Sequence, residues 1–85
     1  NGFRIQLYES SSSDKVNSVI KKYKKQMKDS LYVIFEAPVY KLHYGNYSKK
    51  YEAEKIMKQL RQNGFKNIWI VRSRIEYKHL YESRE

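Results

Sequence analysis

The sequence predicts an α+β domain of order βαββαβ: a four-stranded, mostly antiparallel sheet with two helices packed on one face. Three observations predict it. The chain aligns with itself without a gap at an offset of 37 positions, so that Phe3, Ile5 and Leu7 fall on Tyr40, Leu42 and Tyr44, and Val16, Val19, Ile20 and Tyr23 fall on Ala53, Ile56, Met57 and Leu60. Each half opens on apolar–polar alternation, the period of a half-buried strand. Each then passes into a lysine-rich stretch whose apolar residues recur at helical spacing. Two such units place both helices on one side of the sheet and leave the other side an open platform. Functional residues are expected at outward-facing strand positions.

Phe3 to Tyr8 is the first strand, with Phe3, Ile5 and Leu7 on one face and Arg4, Gln6 and Tyr8 on the other. Ser11, aligned with Ser48, is the expected N-cap of the first helix, with Asp14 beside the exposed N–H groups. Val16, Val19, Ile20, Tyr23 and Met27 form its buried stripe, and Lys28-Asp29-Ser30 ends it. Leu31 to Ala37 is a strand rich in β-formers, and Pro38, which has no N–H to donate, marks a short connection. Val39 to Tyr44 completes a hairpin, and Gly45-Asn46 supply a turn. Ser48 is the expected cap of a helix whose core stripe is Ala53, Ile56, Met57 and Leu60. Asn63-Gly64 stops that helix, with glycine left-handed at C′ and Phe65 folding back. Asn67 to Arg72 is the last strand. Trp69 faces out if Ile68 and Ile70 face in, and lies in the core in the opposite register.

Eighty-five residues make one small domain. The absence of cysteine excludes disulfides, a thiol nucleophile and zinc–thiolate sites. No apolar run reaches the length of a membrane span and no signal peptide is present, so no membrane insertion is expected within this stretch. A chain that opens on Asn1-Gly2 reads as an excised fragment, with any signal or anchor outside it. The net charge of +9 suggests an anionic partner, although most of the positive charge sits on helix exteriors, where solvation alone accounts for it. Nine tyrosines serve a domain short of Leu and Val, several of them in the core.

Catalysis finds little support. His43 and His79 are far apart and lack metal-ligand spacing, and no nucleophile elbow or glycine-rich phosphate loop exists. Glu52 and Glu54, two apart on a helix, point away from each other. The domain reads as a binding module, with no enzyme activity, cofactor or metal expected.

Phe3-Arg4-Ile5-Gln6-Leu7, followed by a helix and then by Tyr40, Lys41, Leu42, Gly45, Tyr47, Ala53, Leu60 and Gly64 in order, resembles the SPOR domain, the sporulation-related repeat of bacterial cell-envelope proteins. The resemblance runs from Gly2 to about Ile75, so residues 1–75 are taken as the domain and 76–85 as a C-terminal tail. It implies binding to peptidoglycan glycan strands that have lost their stem peptides, targeting of a parent protein to the division septum or cell wall, and a periplasmic or wall-associated location. It also implies a glycan laid on the open face. Gln6, Arg4, Tyr8, Tyr32, Lys41, His43 and Trp69 are the candidate binding residues. Amide groups donate to and accept from sugars, aromatic faces cover C–H surfaces, and Arg4 and Lys41 attract carboxylates. Where the family often carries Gly-Ser-Phe after the first strand, this chain has Tyr8-Glu9-Ser10.

The same order of elements occurs in RNA-recognition domains, whose sheets stack bases on aromatics, and in ferredoxin-like interaction modules. The RNA alternative lacks its basic–Gly–aromatic third strand, because Lys41 and His43 are the outward residues there. A monomer without nucleic acid is expected. In the tail, Tyr77, Leu80 and Tyr81 stand at helical spacing.

Overall fold

A computed structural model of the chain describes residues 1–74, and the expected tail lies outside the described residues. The elements are β1 (Gly2–Ser10), α1 (Ser13–Tyr23) running into a 3₁₀ turn (Lys24–Gln26), β2 (Leu31–Glu36), β3 (Val39–Tyr47), α2 (Lys50–Gln62) and β4 (Trp69–Ser73). β1 and β3 share their bounds at the 37-residue offset, and α1 and α2 begin 37 residues apart. All pairings are antiparallel, in the order β2-β3-β1-β4. The α+β architecture is the one expected, with β1 in the interior of the sheet.

Both helices pack on one sheet face. Ile5, Leu7, Leu42 and Tyr44 from the central strands form a core with Val16 of α1, Leu60 of α2, Phe65 and Ile68, and Ile20, Tyr23 and Met57 pack against it. Most tyrosines serve this layer: Tyr8, Tyr23, Tyr40, Tyr44 and Tyr47 all belong to the core or touch it. Tyr44 also uses its hydroxyl, accepting from the backbone N–H groups of Lys28 and Asp29 at 3.1 and 3.0 Å. The Tyr47 hydroxyl donates to Asp29 Oδ2 at 2.7 Å, so two rings of β3 tie down the loop that leaves α1.

Several local expectations shift. The N-cap of α1 is Ser12, whose Oγ accepts from Lys15 N–H, rather than Ser11. α2 starts after Lys49, whose backbone N–H donates to Glu52 Oε1, and Ser48 donates to the same carboxylate instead of capping. Both starts move by one residue together, which preserves the offset. α1 is shorter than expected and tightens to 3₁₀ geometry at Lys24. The stop at Gly64 is as anticipated: Gly64 has φ +105, its N–H reaches Arg61 O, and Phe65 N–H reaches Leu60 O, the paired bonds of a Schellman motif.

Two bulges set the sheet's register. β1 pairs Gln6 with His43 but Tyr8 with Leu42, so an extra residue sits at Leu7-Tyr8. That bulge turns Tyr8 toward the core, against the expectation that it faces the platform, and hands the platform position to Glu9. β3 carries its own extra residue between Tyr44 and Tyr47, so Gly45-Asn46 lie in the strand and not in a turn. Gly45 has φ +78, and the Tyr47 ring occupies the space that a side chain there would need. The β2–β3 hairpin turns at Ala37-Pro38 through a cis peptide bond.

Candidate functional site

The sheet face opposite the helices is built around one cross-strand row. Tyr32 pairs with His43, His43 with Gln6, and Gln6 with Trp69, so four side chains line up across β2, β3, β1 and β4. At about 4.8 Å per strand the row spans roughly 14 Å. Its members are related by the internal repeat: Gln6 and His43 are 37 residues apart, and so are Tyr32 and Trp69. The repeat's pseudo-twofold axis therefore passes between Gln6 and His43, with an aromatic ring at either end.

The centre of the row is a buried polar network. Gln6 is 3% exposed and His43 7%, so neither is the solvent-facing residue expected from alternation. Alternation assigns a side of the sheet, whereas burial depends on how long neighbouring side chains crowd that side. His43 Nε2 lies 3.0 Å from Gln6 Oε1, and Gln6 Nε2 donates to Glu9 Oε1 at 3.2 Å. An amide oxygen only accepts, so His43 carries its proton on Nε2 and leaves Nδ1 as an acceptor. Nδ1 is buried without a partner. Burial, then the charges of Arg4 and Lys41, bring the His43 pKa down to about 4, with Glu36 opposing. The imidazole is neutral at pH 7.

The charged residues around this centre hold one another. Arg4 is buried; its Nε donates to Asn46 Oδ1 at 3.0 Å and its guanidinium lies 3.9 Å over the Tyr32 ring. Asn46 donates in turn to the Tyr32 hydroxyl. Lys41 pairs with Glu36 at 2.6 Å, which raises the lysine pKa and lowers that of the glutamate. Arg4 and Lys41 are therefore balanced on this face by Glu9 and Glu36, and both already have protein partners. The face on which they are expected to attract carboxylates therefore carries no net charge from these four residues.

Trp69 stands out against that setting. Its neighbours Ile68 and Ile70 turn inward, and it faces the platform at 50% exposure. Of the seven candidate residues, the structure brings Arg4, Gln6, Tyr32, Lys41, His43 and Trp69 together on the open face and sends Tyr8 to the other side. It adds Glu9, Glu36 and Asn46. Glu9 was hidden by the bulge, and Asn46 by the reading of Gly45-Asn46 as a turn. A polar residue following a glycine within a strand pattern is the signal that could have marked Asn46 as bulge-borne. Among the described residues no cluster of His, Asp or Glu could hold a metal ion, and no helix is long and apolar enough to cross a membrane.

The model of the SPOR domain family matches residues 1–72. The solution structure of the peptidoglycan binding domain of the B. subtilis cell wall lytic enzyme CwlC shares the fold, with a TM-score of 0.69 over 84% of this chain and 89% of that one, at 17% identity. No curated protein sequence matches the chain.

Proposed function

The chain belongs to the SPOR domain family, and from that premise we propose that it is a non-catalytic module that binds the glycan strands of peptidoglycan. The preferred ligand is glycan without stem peptides, and the module acts as a monomer that directs a parent protein to the cell wall, chiefly at the division septum. It works at the cell envelope, on the periplasmic or wall side. The observation that carries the reading is Trp69, a half-exposed indole at one end of a row whose centre is a neutral, buried amide–imidazole pair. An exposed tryptophan on a face no described helix covers is stabilised when a flat, C–H-rich surface covers it, and a pyranose ring offers that surface. Tyr32, half-buried with the Arg4 guanidinium over its ring, offers its remaining surface at the other end, and the row is long enough for a short oligosaccharide. Asn46, Glu9 and the Lys41–Glu36 pair supply hydrogen bonds to acetamido groups and hydroxyls at the rim. Gln6 and His43, too buried to cover a sugar, are positioning residues that hold the strands and Glu9 in place. The preference for stripped strands is the one that membership of the SPOR family implies.

The absence of net charge on this face counts against the RNA alternative, since phosphate attraction dominates nucleic-acid affinity. The test is co-sedimentation with intact and with amidase-treated wall. Trp69→Ala should reduce binding to treated wall by about tenfold, the equivalent of one lost stacking contact of ~1–2 kcal/mol. Phe35→Ala, which removes an exposed ring from the helix-side face, should leave it unchanged. Equal loss in both variants, or no preference for treated wall, refutes the proposal.

A further inference from the structure

The charge of this domain is divided between its two faces. The helices with their flanking turns, residues 13–30 and 48–67, hold twelve basic and four acidic residues, which accounts for eight of the chain's nine net positive charges. All twelve basic side chains are exposed, and none is in an ion pair among the described residues. Both helices lie on the sheet face opposite Trp69. The domain thus has a neutral platform and a strongly cationic back.

We propose that this helix layer is a second binding surface, for a flexible polymer with phosphate groups in its backbone, met in the wall beside the glycan. The location in the wall rests on the function proposed above; the polyanion chemistry rests on the helix layer alone. Eleven of the twelve basic residues are lysines, hydrated point charges on flexible stems, which suit phosphates presented in many orientations rather than one planar, bidentate group. The helices' apolar stripes are spent on the core, and Tyr51 is their only large, exposed apolar side chain among the described residues; Val33 and Phe35, exposed on the same side of the sheet, stand on β2, which neither helix contacts. A bilayer-binding helix needs apolar anchors that this surface lacks. Bases of a nucleic acid likewise find only Tyr51 to stack on along the helices, so a base-free phosphate chain should bind as well as one that carries bases. Two faces of opposite character allow glycan and polyanion to be held together.

The experiment titrates the whole chain with long-chain linear polyphosphate, without glycan present. With about six lysines engaged, affinity should fall roughly a hundredfold between about 50 and 150 mM salt, at a slope near −0.7 per contact. Lys21→Glu with Lys24→Glu should lower affinity on the order of tenfold or more at low salt and flatten the slope, with unchanged thermal unfolding. Trp69→Ala should bind polyphosphate normally, and polyphosphate-saturated protein should still sediment with amidase-treated wall. Failure of the protein to bind amidase-treated wall in the absence of polyphosphate would refute the platform reading and leave the helix surface standing. The second surface is overturned by absent polyphosphate binding at low salt, by normal binding of the lysine variant, or by competition between polyphosphate and glycan. It is overturned equally if phosphatidylglycerol vesicles bind and polyphosphate fails to displace them, or if oligo-dT of equal charge binds much more tightly than polyphosphate.

Discussion

Replacing Gln6 by leucine tests the centre of the platform. The side chain is nearly the same size, so packing is retained while the amide is lost. Gln6 Oε1 is the acceptor for His43 Nε2 at 3.0 Å inside a site where both residues are almost fully buried. Leucine leaves that N–H without a partner, at a cost of about 1–3 kcal/mol, and releases Glu9 as well. For a domain of this size, each kcal/mol lowers the melting temperature by about 4–8 °C, so the variant should unfold roughly 10 °C early. Removing the other partner should recover much of the loss, because two apolar groups leave nothing unsatisfied. The assay is therefore a double-mutant cycle of Gln6→Leu and His43→Phe by thermal unfolding, with sedimentation on amidase-treated wall measured well below each transition. If Gln6→Leu melts with the parent chain, Gln6 is not a buried hydrogen-bonding partner and the positioning role falls. If the double variant is as unstable as the two single losses added together, the pair is not coupled.

Acidification should destabilise the fold through His43. Its folded pKa of about 4 lies below the ordinary 6.5, so the unfolded chain binds the proton first; the contribution is full above about pH 6.5 and is lost as pH falls toward 4, by up to about 3 kcal/mol. A His43→Gln variant should show a correspondingly flatter melting-temperature profile between those values, and parallel profiles would refute the assignment. Glycine substitutions should rank by surroundings. Gly64→Ala meets no neighbour and carries only the left-handed backbone penalty of about 1 kcal/mol, whereas Gly45→Ala collides with the Tyr47 ring and should cost clearly more on chemical denaturation.

Much of this was legible in the sequence because the duplication constrains it twice. Alternation in β1 and β3 assigned Arg4, Gln6, Lys41 and His43 to the helix-free face, whereas Trp69 was open until the pairing of Ile70 with Ile5 and of Trp69 with Gln6 fixed its register. Tyr8 failed because a bulge is a property of two strands in register, and nothing in Leu7-Tyr8-Glu9 marks which residue is extra. The cap of α1 was missed by one residue because the run from Ser10 to Ser13 offers four interchangeable hydroxyls. The burial of Gln6 and His43 was out of reach for a different reason. It depends on a contact between residues 37 apart, and the internal alignment displays that spacing as equivalence, not as touch.

The pseudo-twofold axis between Gln6 and His43 bears on which way a polymer can run. A glycan strand has a beginning and an end, while a twofold surface offers the same reception to either. Were the halves identical, a strand and its reverse would bind equally well, and the domain would sense where glycan is but not how it is oriented. Polarity can be read only where the halves differ, as an amide opposite an imidazole and a phenol opposite an indole. With the two central groups buried, direction on this face would rest on the outer pairs of the repeat that differ, a phenol at Tyr32 against an indole at Trp69 and a carboxylate at Glu9 against an amide at Asn46.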